Sequence, residues 1–138
     1  MKEGDLSGKL IGAYYTVYNA LGYGFLEKVY ENSLFCELKE RGIRVTRQQP
    51  IDVYYKGKKV GQYFADLVIE DKIIVELKAA ESLCLEHEAQ LMNYLKATSM
   101  EVGFLFNFGR EATFKRKYFS NEKKNPQKSV SSVKSVIY

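Results

Sequence analysis

Asp66, Glu76 and Lys78 stand inside two apolar runs, "YFADLVI" and "IIVELKA", where side chains are expected to be dry. An unpaired charge in such a setting costs several kcal/mol even after relaxation. Glu76 and Lys78 are two residues apart, so on a strand they share a face. If the two runs form a hairpin with the three-residue loop Glu70–Asp71–Lys72, Ile69 pairs with Ile73 and Asp66 falls opposite Glu76. A two-residue loop would move the register by one and separate the acids to opposite faces. In the first register two carboxylates face each other with a lysine beside them, and like charges directly opposite are destabilising. A divalent cation held by both would compensate. Oxygen-only ligation suits Mg²⁺ or Mn²⁺, which keep waters and bind substrate phosphates. Such an ion polarises a phosphoryl oxygen and lowers the pKa of a water, and a neighbouring lysine stabilises charge on the phosphate. That is the minimum set for phosphodiester cleavage. The structural alternative is a salt bridge between Lys78 and an acid at the sheet edge.

A helix over 85–97 follows. In "CLEHEAQLMNYLKA", His87, Gln90 and Tyr94 lie at i, i+3 and i+7, on one face beside Leu91 and Leu95. Gln90 is placed to hydrogen-bond a phosphate, a water or a carboxylate. His87, the single histidine, also reads as a hydrogen-bonded structural residue, and Tyr94 as core with its hydroxyl satisfied locally. Glu27 opens another helix after "GYGF", where the helix dipole favours an acid. If that helix crosses the active edge of the sheet, Glu27 reaches the metal or its waters, with Tyr30 on the same side.

The elements that must position these residues follow from periodicity. Apolar residues at 6, 10, 11, 14, 17, 18 and 21 predict a first helix, with Asp5 or Ser7 as its cap and Gly22 as its stop. A second helix is expected over 25–41, ended by Gly42. Strands are expected over 43–55, with Pro50 as an irregularity or edge position, and over 60–69 and 73–79, with "YKGKK" as a turn. Strands over 102–108 and 113–119 complete the chain's core. The order α-α-β-β-β-α-β, with a further β, predicts an α/β fold. Its sheet is mixed: an antiparallel meander, then a helical crossover to a parallel neighbour, with helices on its faces.

The chain has 138 residues, which suits one domain. The domain is expected over 1–119, with 120–138 a basic, Ser- and Lys-rich tail. Of the net charge of +4, residues 115–138 supply +6, from seven basic residues and one acid. The remainder is therefore −2. A basic tail is compatible with a nucleic-acid partner, and a solvated extension is the simpler account. Cys36 and Cys84 sit in no metal-binding pattern, so four cysteines for an iron–sulfur cluster are not available. No apolar run approaches the roughly 20 residues of a membrane helix, and the N-terminus has no signal-peptide core, so a cytoplasmic location is expected.

The residues also resemble a known family. "GYGFLEKVYENSL" resembles the signature of the GxxExxY protein family, with Gly24, Glu27 and Tyr30 at its fixed positions. "YYKGKKVGQYFADLVIEDKIIVELKA" and "HEAQLMNYLKAT" are similar to that family's middle and end, so the resemblance covers about residues 6–119. The family is similar to the PD-(D/E)XK nuclease superfamily. The resemblance implies a restriction-endonuclease-like core and a Mg²⁺- or Mn²⁺-dependent nuclease acting on DNA, in repair, mobile-element or defence contexts. It implies Asp66, Glu76 and Lys78 as motif residues and the main-chain carbonyl of Leu77 as a further metal ligand. Gln90 and Tyr94 resemble the Gln-x-x-x-Tyr element of RecB-like nucleases, and Glu27 an auxiliary helix acid. Ala65 stands where the superfamily motif has proline. The competing expectation is a non-catalytic nucleic-acid- or protein-binding module that keeps the fold. A homodimer would supply the surface that one small domain lacks for gripping a duplex.

Overall fold

The computed structural model describes residues 2–124 and 136–137. Two helices lead, α1 over Glu3–Leu21 and α2 over Glu27–Glu40. Neither Asp5 nor Ser7 caps α1. The helix starts earlier, at Glu3, with Lys2 as its cap residue, and the Ser7 hydroxyl donates to the Glu3 carboxylate. Gly22 closes α1 at φ 69°, a backbone shape that a side chain would resist.

Three antiparallel strands follow: β1 over Val45–Tyr55, β2 over Lys58–Ile69 and β3 over Ile73–Lys78. The β1–β2 turn places Lys56 and Gly57 at φ 50° and 79°, the left-handed pair of a tight hairpin. Helix α3, Leu85–Lys96, crosses over to β4, Val102–Phe108, which pairs parallel to β3. Strand β5, Ala112–Tyr118, returns antiparallel. The sheet order is β5-β4-β3-β2-β1, and the two-residue β6, Val136–Ile137, lies parallel to β1 at Val53 and Tyr54. The expected mixed sheet and crossover are therefore present.

Helices cover both faces because alternate sheet residues feed two separate cores. Leu67, Val75, Phe104 and Phe106 pack under α1 and α2 with Leu10, Tyr14 and Leu34. Val68, Ile74 and Leu105 pack under α3 with Leu91 and Leu95. Contact is close at the ends of β4. A Cβ at Gly109 would lie 2.3 Å from the Ala80 carbonyl oxygen, which is backbone and cannot swing away. Gly109→Ala is expected to destabilise the protein by roughly 1–3 kcal/mol, read from chemical denaturation.

Residues 120–124 join the same body. The Lys124 ammonium is buried and donates to the carbonyls of Thr98 at 2.6 Å and Met100 at 2.9 Å. The tail carries valines at 130, 133 and 136, a pattern suited to docking; Val136 pairs with Val53, and the other two lie outside the described residues. No helix among the described residues is long and apolar enough to cross a membrane.

Candidate active site

The hairpin loop is the three-residue one. Glu70 and Asp71 take φ of 52° and 54°, and the Lys72 N–H donates to the Ile69 carbonyl at 2.8 Å. Ile69 pairs with Ile73, Val68 with Ile74 and Leu67 with Val75. Continued one step, that register brings Asp66 opposite Glu76, and there the ladder between β2 and β3 stops. Side chains take its place. The Asp66 N–H donates to Glu76 Oε2 at 2.8 Å, and the Leu77 N–H donates to Asp66 Oδ2 at 2.9 Å.

The sheet is also opened on the other flank of Asp66. Arg47 pairs with Leu67 and Gln49 with Ala65, while Gln48 between them turns to φ 46°. A left-handed, non-glycine residue inside a strand is strained, and such strain concentrates at functional sites. Its side chain reaches two acids: Gln48 Nε2 donates to Glu31 Oε1 at 3.0 Å and approaches Asp66 Oδ1 at 3.4 Å.

The result is an acidic focus in which Glu76 and Glu31 are buried and Asp66 is half-buried. Glu76 is 5 % exposed. Burial first, and the Asp66 charge second, push its carboxyl up from 4.5 to about 8. Burial likewise raises Asp66, and the nearby Glu31 and Glu27 raise it further. Helix α2 reaches this edge through Glu31, which shares Gln48 with Asp66, and the charge of Glu27, exposed in the first turn of α2, adds to the rise at both acids. Lys78, half-buried, makes no ion pair with any of these acids among the described residues, although its charge opposes the rise at Glu76.

A model of the PD-(D/E)XK nuclease superfamily matches residues 4–118. The chain belongs to that superfamily. Its fold is similar to the crystal structure of SSO0001, with a TM-score of 0.57 and 21% identity over 68% of this chain. The match covers 50% of that chain, so this protein corresponds to about half of its length. No curated protein sequence matches.

The remaining expected residues divide in two. Gln90 Nε2 donates to the Tyr94 hydroxyl at 2.7 Å. Burial, then the charge of Glu76, pushes that hydroxyl up to about 12. Tyr94 shares a core cluster with Ala65 and Ile74, which neighbour Asp66 and Glu76 along their strands, so the pair lies over the acids' stretch of the sheet. Tyr30 and His87 do not join them. The Tyr30 ring stacks on Phe108 at 4.2 Å, and its hydroxyl donates to the Gly22 carbonyl and accepts the Phe25 N–H. Tyr30 thus pins the "GYGF" loop that fixes where α2, and so Glu27, begins. His87 is half-buried at the start of α3, and its Nδ1 accepts the Cys84 N–H at 3.3 Å as a helix cap.

The structure adds three residues that the sequence reading passed over. Glu31 is 5 % exposed and one turn on from Glu27, held by Gln48 and by Lys28 at 3.2 Å. Its signal was its place on the stripe with Leu34 and Leu38. Gln48 carried none, because its backbone conformation is not encoded by its type. Asn107, an amide inside the apolar run "VGFLFNF", pairs opposite Lys78. Its side chain brackets Ala80, accepting from the N–H at 3.0 Å and donating to the carbonyl at 2.9 Å. It therefore holds the chain two residues beyond Lys78.

Proposed function

We propose that the protein is a Mg²⁺- or Mn²⁺-dependent nuclease that hydrolyses DNA phosphodiester bonds. The observation that carries this reading is the break in the sheet at Asp66. It leaves two coupled carboxylates, Glu76 buried and Asp66 half-buried, beside a lysine that neutralises neither by contact.

The donor set fits a hard divalent ion. Asp66 and Glu76 offer only oxygens, and each raises the proton affinity of the other, so a 2+ charge relieves a repulsion already present. No three carboxylate, histidine or cysteine side chains among the described residues cage an ion. Mg²⁺ does not need such a cage, because it binds through one or two carboxylates and retains waters. Asp66, Glu76 and the Leu77 carbonyl would hold it, with Glu27 at the edge of its hydration shell. When bound, the ion supplies Lewis acidity to the scissile phosphate and acidifies a water.

The side chains do the rest. The Lys78 ammonium sits on the same strand face as Glu76 and stabilises negative charge on the phosphate at the transition state. Gln90, oriented by Tyr94, holds a phosphate oxygen or the attacking water. Gln48 keeps Asp66 and Glu31 apart, and Glu31 adds negative potential that favours the cation. The finer GxxExxY assignment is supported by the way Tyr30 positions Glu27. The nuclease-like unit is taken as residues 1–119, with 120–138 following it and joined to the same body at Lys124 and at Val136–Ile137.

The expected result is cleavage of DNA with Mg²⁺ or Mn²⁺ and none with a chelator. Tight nucleic-acid binding with no cleavage under either metal would favour the competing reading, a binding module that keeps the fold.

A further inference from the structure

The β1–β2 arm and the outer stripe of α3 part beside the acids to leave a cleft of about 520 Å³. The proposed hydrolysis uses Gln90 and Tyr94 at its edge and leaves Tyr63, Ala89, Asn93 and Ala97 without a role. We propose that this cleft holds one unpaired nucleobase of the substrate, stacked on Tyr63, next to the scissile phosphate. The inference rests on the nuclease reading for its substrate, and its own evidence is the make-up of the walls.

Ala89 and Ala97 line the helical wall, and each contributes only a methyl, so the helix does not fill the space. Opposite stands Tyr63, 50% exposed. Its ring lies 5.8 Å from that of Tyr94, tilted by 45° rather than stacked, so the pair does not satisfy either face fully. A half-exposed aromatic in a concave site is a stacking platform, and base–aromatic stacking is sequence-tolerant because every base has a π-face. Asn93 and Gln90 also line the cleft, and each amide has donor and acceptor atoms for a base edge. Glu86 and Lys96 line it as well, so the walls carry one charge of each sign, and the Glu86 carboxylate accepts from an exocyclic amine. The volume lies within the roughly 300–1,000 Å³ of ligand pockets.

Location links the cleft to the chemistry. Gln90 and Tyr94 belong to both, and Tyr63, whose ring faces Tyr94, stands on β2 three residues before Asp66. A base seated on Tyr63 therefore brings its adjoining phosphate toward the acids. Bases within a duplex have both faces covered by their neighbours. The cleft accordingly selects single strands, flaps and frayed ends over intact duplex.

The test uses the full chain in chelator, so that binding is read without cleavage. A single-stranded oligonucleotide carrying 2-aminopurine, and the same sequence as duplex, are titrated by fluorescence. The single strand is expected to bind at least tenfold more tightly, with quenching of the 2-aminopurine. Tyr63→Ala is expected to lose at least fivefold in affinity and the quenching, while Tyr63→Phe keeps both. Ala89→Phe, which fills the cleft from the other wall, is expected to repeat the loss. Mn²⁺ binding to Tyr63→Ala is expected to be unchanged, which separates this site from the metal site. Equal affinity for duplex and single strand, or an unaltered affinity in both Tyr63→Ala and Ala89→Phe, would overturn the proposal. Because the readout needs no turnover, an inactive protein that still quenches would retain the cleft and lose only the nuclease reading.

Discussion

Glu76→Gln is expected to abolish cleavage and, at the same time, to make the metal-free protein more stable at pH 8. Activity falls because one of the two carboxylates that would hold the cation is gone. Stability rises because of proton linkage. The folded protein holds the Glu76 proton up to about pH 8, whereas the ordinary value is 4.5. Between those values the folded state binds more protons than the unfolded state, so stability falls as pH rises through the window. It is complete below about 4.5 and has been lost by about 8. At roughly 1.4 kcal/mol per unit, the loss amounts to a few kcal/mol. Glutamine has no proton to release, and its carbonyl oxygen can still accept the Asp66 N–H that Glu76 accepts at 2.8 Å. Thermal unfolding in chelator should therefore show the variant melting roughly 5–10 °C above the wild type at pH 8, with the gap closing toward pH 5. A variant less stable than the wild type at pH 8 would mean that Glu76 is a paired structural charge.

Lys78→Met is expected to lower kcat by roughly 10²–10³-fold with little change in KM, the usual cost of removing one preorganised charge from a transition state. Methionine keeps the apolar stem of lysine, so packing at this half-buried position is preserved. The metal site should survive, since Lys78 contributes no ligand. Its charge does hold Glu76 down, so its removal raises the Glu76 carboxyl further. Mn²⁺ uptake in the variant should then need a higher pH than in the wild type, because the ion competes with a more tightly held proton. Single-turnover cleavage alongside Mn²⁺ titrations at several pH values reads both effects. An unchanged kcat would remove Lys78 from the chemistry.

The pairing of Asp66 with Glu76 was legible because loop length sets hairpin register, and three residues lie between the apolar runs. The parallel β3–β4 pair was legible for a similar reason, since a helix of ordinary length separates two apolar strands. The sheet's rupture at Asp66 was not. It depends on the left-handed turn at Gln48 and on carboxylates replacing main-chain partners, and neither follows from hydrophobic period. Glu31 was passed over in favour of Glu27 because Glu27 opens the helix after "GYGF" and stands at the acidic position of the resembled signature, even though an acid in a first turn also has a capping account. One turn later, the same helix buries its second acid against Gln48. Tyr30 and His87 show the reverse case. Their spacing aimed them at the site, and their side chains were claimed by nearer partners, the "GYGF" loop and the α3 cap.

The central claim is that Asp66 and Glu76 jointly hold a divalent cation. Calorimetric titration of Mn²⁺ into the wild type and Asp66→Ala at pH 7, in two buffers of different ionisation enthalpy, tests it most directly. The account predicts one saturable site in the wild type, lost in the variant, with a proton released on binding as Glu76 ionises. No saturable binding in the wild type, or binding that releases no proton and persists in Asp66→Ala, would contradict it.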